Sequence, residues 1–215
     1  VLMLFILNVD LTVINIAIPS IGRVFHASLD SLQWIITAFL LTSVIMAITG
    51  KLADVIGRKR IFCIGLVILI LGSVVAGGAT MMPMIIWGRV MQGIGCALTM
   101  PLCGIMVMQV FPQSKSTAMG ILILMAGLGQ SLGPLIGAYL MEFFNWRVIF
   151  MMNIPVAAIS FFLLIWYRDP QVRTPQVSFD LVGCFLLGGG LIALVFPMIE
   201  YKNPAYSCLL YTSDA

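Results

Sequence analysis

The chain has 215 residues, of which 61% are hydrophobic and only 9% are Asp, Glu, Lys or Arg. Soluble domains average about 45–50% apolar and about 25% charged residues, so composition excludes an ordinary water-soluble domain and points to repeated passage through a bilayer. The net charge of +3 gives no reason to expect nucleic acid, and five cysteines with no CxxC spacing argue for neither a metal site nor a disulfide framework.

Spanning the hydrocarbon core takes about 20 apolar residues. Seven runs qualify: 1–21, 32–52, 61–79, 84–110, 118–140, 148–167 and 181–199. The first, "LNVDLTVINIAIP", carries Asp10 at bilayer depth, where an ionisable group is costly and usually faces protein or a water-filled cavity. At 100° per residue, Asn8, Thr12, Asn15 and Pro19 share one stripe and Asp10 lies nearly opposite. Neither side suits lipid. We therefore expect a central helix, with one face on a cavity, where Asn15 is a candidate lining residue, and the other on partner helices.

After the second run comes "GKLADVIGRKR", Gly50 to Arg60, with five charges in eleven residues. With the N-terminus placed in the cytoplasm, the cytoplasmic connections hold Lys51, Arg58, Lys59, Arg60, Lys115, Arg168 and Arg173. The outer ones hold Arg23, Arg147 and Lys202. That bias follows the rule that Lys and Arg gather on the cytoplasmic side. It leaves Asp54, Gly50 and Gly57 unexplained.

The fourth run holds Arg89 inside a span, sharing a helical face with Gln92, Gly93 and Cys96. A long cation beside an amide and small residues reads as a cavity wall. A direct contact between Asp10 and Arg89 stays open. In the fifth run Gly129, Gly133 and Gly137 recur every four residues, spacing that lets helix backbones approach closely, and Pro134 is expected to kink the helix. The segmentation is then 1–167 for a six-helix unit, 168–180 for a cytoplasmic linker, 181–199 for a seventh span and 200–215 for an outer loop and tail. Val1 stands already inside an apolar run, so the start is expected to be missing, and "SCLLYTSDA" (Ser207 to Ala215) is expected to be a non-native tail.

These stretches resemble the major facilitator superfamily, and more narrowly its 14-helix drug:proton antiporter branch. Gly50, Leu52, Ala53, Asp54, Gly57, Arg58 and Lys59 follow the superfamily's loop motif, departing from it at Val55. "VDLTVINIAIP" resembles the first-helix motif of the branch. Ile85, Arg89, Gln92, Gly93 and Gly95 match the fourth-helix motif. Gly129, Gly133, Pro134 and Gly137 match the antiporter motif, with Ala138 where a last Gly is usual, and "NWRVIFMMNIP" is similar to the branch as well. The resemblance covers residues 1 to about 203.

It implies an all-α polytopic membrane protein: the N-terminal six-helix half of a facilitator plus one further transmembrane helix, lacking the C-terminal half of the same chain. It implies proton-coupling roles for Asp10 and Arg89, and a conformational latch at Gly50, Asp54, Gly57 and Arg58, with Asp54 facing a helix N-terminus of the other half. The implied function is proton-coupled export of drugs or other amphipathic organic compounds across a bacterial cytoplasmic membrane. A periplasmic adaptor protein is a candidate partner. The alternatives are a facilitator porter for a metabolite, fatty acid or siderophore and, more remotely, a non-transporting sensor or channel. The chain shows no H-E-x-x-H and no G-x-S-x-G, and its sole histidine, His26, falls in an outer connection. No enzyme activity, cofactor or metal is expected.

Overall fold

The computed structural model describes residues 1–166 and, further on, Leu186, Gly189, Gly190 and Ala193. The chain forms two compact units, Val1–Val177 and Ser178–Ala215. In the second unit the four described residues are helical and exposed. The expected linker at 168–180, the tail at 200–215 and most of the seventh run lie outside the described residues.

The first unit is all helical among the described residues. Its elements are α1 (Leu2–Phe25), α2 (Leu29–Ser43), α3 (Met46–Ile56), α4 (Arg58–Gly77), α5 (Met82–Val110), α6 (Lys115–Phe143), α7 (Arg147–Met151) and α8 (Asn153–Trp166). Five helices are long and apolar enough to cross a bilayer, counting α7 and α8 as one, and the bent pair of α2 and α3 makes a sixth. Helix α4 packs along α5, α1 along α6, α2 against α5 and α4 against α8. The most apolar stretch of α6 is only 17% buried against 56% in α1 and α5, so α6 is the peripheral helix and α1 and α5 are central.

Local chemistry sets the ends and the bends. Ser28 caps α2 by accepting from the Ser31 amide, and His26 ends α1 in a left-handed conformation with φ 47°. The run read as one span, 32–52, is two helices meeting at 42°. Thr42 donates to the carbonyls of Ala38 and Phe39 at 2.8 and 3.0 Å, and Ser43 donates to Phe39 O at 2.8 Å. Hydroxyls that bond back to their own helix in this way bend it.

Two prolines show how a bundle handles a missing N–H. Pro101 cannot donate to Ala97 O four residues earlier. Thr49 of α3 takes up that carbonyl at 2.9 Å, so α5 runs on without a break and α3 is tied to it. Pro155 cannot donate to Met151 O, and here the chain breaks at Met152, separating α7 from α8. Pro134, expected to kink the fifth run, lies inside an α6 that is helical from Lys115 to Phe143.

The connection read from Gly50 to Arg60 is not a loop. Gly50 and Asp54 lie within α3, and Arg58 is the first residue of α4, so Gly57 alone joins the two helices. Gly57 has φ 106° and ψ 131°, a conformation that disfavours any residue with a Cβ. Gly50 is helical, and a Cβ there would meet nothing within 4 Å, so no tight turn rests on it. Gly57→Ala is expected to lower stability by about 1–2 kcal/mol through backbone strain, whereas Gly50→Ala is expected to be neutral or slightly stabilising. Thermal unfolding of the two variants side by side checks this.

Candidate functional site

Asp10 sits in the middle of α1, and Arg89 is in the third turn of α5. The α1 face that carries Asp10 turns toward α5 and α8. Arg89 Nη1 donates to Asp10 Oδ2 at 2.8 Å, and the two side chains are 1% and 2% exposed. Arg89 Nη1 also donates to Gln92 Oε1 at 3.0 Å, and its Nε donates to Ile35 O at 3.3 Å. The guanidinium carbon lies 4.4 Å from the centroid of the Phe39 ring. Gln92 in turn donates to Ser73 Oγ at 2.9 Å, and Ser73 donates to Leu69 O at 2.8 Å. The second oxygen of Asp10 accepts from Asn153 Nδ2 at 2.8 Å.

The result is a continuous buried chain from Ser73 through Gln92, Arg89 and Asp10 to Asn153, drawing on four helices. Two unit charges this deep are tolerable only when paired and hydrogen-bonded, because each costs several kcal/mol, order of magnitude, to strip of water. The cation has three polar partners and a ring face, and each carboxylate oxygen has one donor. Among the described residues Asp10 is the only buried acid. The pair is neutral as a unit, so losing the charge of either partner would change what the bundle must compensate.

The structure corrects two sequence expectations. Gln92, proposed as a cavity residue, is fully buried and joined to Arg89 and Ser73, so it lines no cavity here. The Arg89 face is likewise an internal contact and not a wall. The stripe opposite Asp10 divides: its first half faces protein, where Asn8 accepts from Gln130 of α6 at 3.0 Å and Thr12 lies against Gly133. Further along that stripe Asn15 is exposed and apart from the network. The α6 glycines admit this contact. A Cβ on Gly129 would come within 2.5 Å of Phe5 O, and one on Gly133 would collide with Thr12 and lie 3.3 Å from Val9 O. At Gly137 the nearest approach is an easier 3.3 Å, to Val13.

Sequence reasoning missed Asn153 and Ser73 as members. The signal for Asn153 was present: an amide alone in "FMMNIPVAA" is as conspicuous in lipid as Asp10 is. An apolar cavity of about 390 Å³, lined in part by Phe62, Met106, Phe111 and Leu163, contains no member of the network in its wall.

At the helix junction Arg58 Nη2 donates to Asp54 Oδ1 at 3.0 Å across Gly57. The side chains are 20% and 36% exposed, so the pair itself contributes at most about 1 kcal/mol. Asp54 is in the last turn of α3, and Arg58, Lys59 and Arg60 open α4. Each charge is at the helix end that its macrodipole disfavours, so helix electrostatics does not account for them. Lys59 does better with a neighbour, donating to Ile165 O at 3.1 Å near the end of α8.

The profile of the Major Facilitator Superfamily matches residues 1–183. The chain belongs to that superfamily. Among curated superfamily relatives, multidrug resistance protein Stp of Mycobacterium tuberculosis (strain CDC 1551 / Oshkosh) is 33% identical over 200 residues, covering 92% of this chain and 37% of Stp. Riboflavin transporter RibZ of Clostridioides difficile (strain 630) is 32% identical over 202 residues, covering 93% of this chain and 44% of RibZ. The chain therefore spans about two-fifths of the length of these facilitators. The fold is that of solved facilitators too: the xylose transporter XylE from E. coli, in its inward open conformation, superimposes with a TM-score of 0.67 at 16% identity, covering 94% of this chain and 54% of XylE.

Proposed function

We propose that the full-length protein is a proton-coupled antiporter that exports drugs or other amphipathic organic compounds across a bacterial cytoplasmic membrane, with this chain as its N-terminal half. The observation that carries the reading is the buried Asp10–Arg89 pair at 2.8 Å. A proton on Asp10 cancels the charge that Arg89 faces and leaves a lone cation in a low-dielectric site. The arrangement that is best for the ionised pair is then no longer best, and the balance between inward- and outward-facing forms shifts. Protons moving down their gradient thus drive cargo the other way. Similarity to Stp supports a drug-like cargo.

In this scheme residues 1–167 form one rocking half, 168–180 a cytoplasmic linker and 181–199 an extra span before the second half. The N-terminus faces the cytoplasm, in keeping with the Lys and Arg bias. Asp54 and Arg58 serve the latch by meeting a helix of the other half, which gives charges misplaced on their own helices a use. Gly129, Gly133, Pro134 and Gly137 hold α6 close to α1 while the halves move. A periplasmic adaptor is a further candidate partner.

A second reading, a facilitator porter for a metabolite, is favoured by the similarity to RibZ. Both readings are tested in vesicles containing the full-length protein, with efflux of ethidium and counterflow of riboflavin followed in parallel. Ethidium efflux driven by an imposed proton gradient, lost to the level of empty vesicles in Asp10→Asn, is the expected result. Undiminished gradient-driven efflux in that variant removes Asp10 from the coupling. Riboflavin counterflow without ethidium efflux selects the second reading.

A further inference from the structure

Asn153 opens α8 directly after the break that Pro155 imposes, and its side chain is wholly buried. The carboxylate of Asp10 can only accept, so the amide presents its NH2 group, and Nδ2 donates to Asp10 Oδ1 at 2.8 Å. The other end of the amide is the unusual part. Asn153 Oδ1 is buried and has no hydrogen-bond partner. Buried acceptors are nearly always satisfied, and one left alone calls for a reason.

We propose that Asn153 is the positioning residue for the proton on Asp10, serving as donor to the carboxylate and, with its amide turned over, as acceptor from the carboxylic acid. The chemistry is balanced without any other group. A proton arriving at Asp10 Oδ1 makes an O–H where a lone pair had been. That O–H and the Asn153 N–H would then face each other, donor against donor. Rotation of the amide by half a turn about its last side-chain bond brings Oδ1 opposite the new O–H. The oxygen that is unpartnered beside the carboxylate becomes the partner of the acid, and the NH2 group leaves the contact. An aliphatic side chain can do neither.

The other groups near Asp10 do not take this role. Arg89 on α5 only donates, and it is engaged by Asp10 Oδ2, Gln92 and Ile35. The Cys96 thiol, also on α5, is the remaining titratable group close to Asp10. From the other helices packed on α1, charge comes only at helix ends: Asp30 on α2, Lys115 and Glu142 on α6, and Arg147 on α7.

The inference rests on the proposed proton binding at Asp10, and its test separates the two. The full-length protein in nanodiscs, with its asparagines isotopically labelled, is examined by infrared difference spectroscopy between high and low pH. Expected is a carboxylic acid C=O band absent in Asp10→Asn, accompanied by a shift of one labelled amide C=O band that disappears in Asn153→Leu. In Asn153→Leu the acid band is expected to move to the higher frequency of a carboxylic acid without an acceptor. Should the leucine variant fail to fold, Asn153→Ala, which removes both hydrogen-bonding ends without adding bulk, is read in the same way. An acid band that stays in place in these variants, an Asn153 band indifferent to pH, or no Asp10 acid band at all overturns the inference. Bands that move together in a protein that exports no dye under a proton gradient leave the inference standing and defeat the antiporter reading.

Discussion

Arg89→Met is expected to destabilise the protein by about 3–5 kcal/mol, the largest single effect we foresee from the buried network. The magnitude is that of breaking a buried pair by removing one partner, which leaves the other charge uncompensated. Asp10 would keep Asn153 as a neutral donor but lose its one cationic partner among the described residues. Gln92 Oε1 and Ile35 O lose a donor in the same stroke. The double variant Asp10→Asn/Arg89→Met is expected to recover more than half of the loss, because no lone charge remains and the amide can still bond to Asn153. Arg89→Lys is expected to rescue poorly. An ammonium cannot lie flat over Phe39 and at the same time reach Asp10, Gln92 and Ile35 from one rigid fork. Chemical unfolding of the four proteins in detergent gives the cycle. A loss in Arg89→Met below about 1 kcal/mol would show that the pair is not what holds α1 to α5.

Gly95→Ala is the second large effect, at about 3 kcal/mol, the upper end of what overpacking typically costs. A Cβ at this position of α5 would lie 2.7 Å from Leu69 N and 2.8 Å from Gly65 O. Both atoms are backbone of α4, so no rotamer change relieves the clash and the helices must part. The same close approach recurs along the pair, where a Cβ on Gly72 would lie 2.8 Å from Gln92 N and one on Gly88 would lie 2.8 Å from Ala76 N. The control is in the same helix. A Cβ on Gly104 meets nothing within 4 Å, so Gly104→Ala is expected to stabilise by about 0.5–1 kcal/mol through helix propensity alone. Opposite signs for one substitution at two positions of α5, read by thermal unfolding, separate interhelical fit from propensity. Equal signs would refute the packing argument.

Much of this was legible in the residues, and what was not has identifiable causes. Apolar length marked six of the spans because the bilayer imposes a single long period that local chemistry cannot disguise. The break between α2 and α3 escaped because it depends on where Thr42 and Ser43 find their acceptors, and hydropathy does not register a hydroxyl's partner. Pro134 drew attention as a kink signal yet lies inside an unbroken α6, while the break falls at Met152, ahead of Pro155, which drew none. Asp10 and Arg89 stood out singly, since a charge in lipid is conspicuous. Their contact did not, because it depends on the rotation of α1 against α5, which no one-dimensional pattern encodes. The same gap assigned Gln92 to a cavity: a helical face says which residues point together, not whether water or protein stands in front of them. Gly65, Gly72 and Gly88 went unremarked because a glycine needed by a neighbouring helix looks the same in sequence as one that is merely tolerated.

The junction at Gly57 has a mechanical meaning. Long interhelical segments act as slack, letting one rod swing while the next stays still. A single residue gives none, so any tilt imposed on α3 must appear in α4 unless the two torsions of Gly57 absorb it. Helix α4 is interlocked through its glycines with α5, the rod that carries Arg89. A tug at the charged end of α3 therefore has few soft joints in which to dissipate before it reaches the interior.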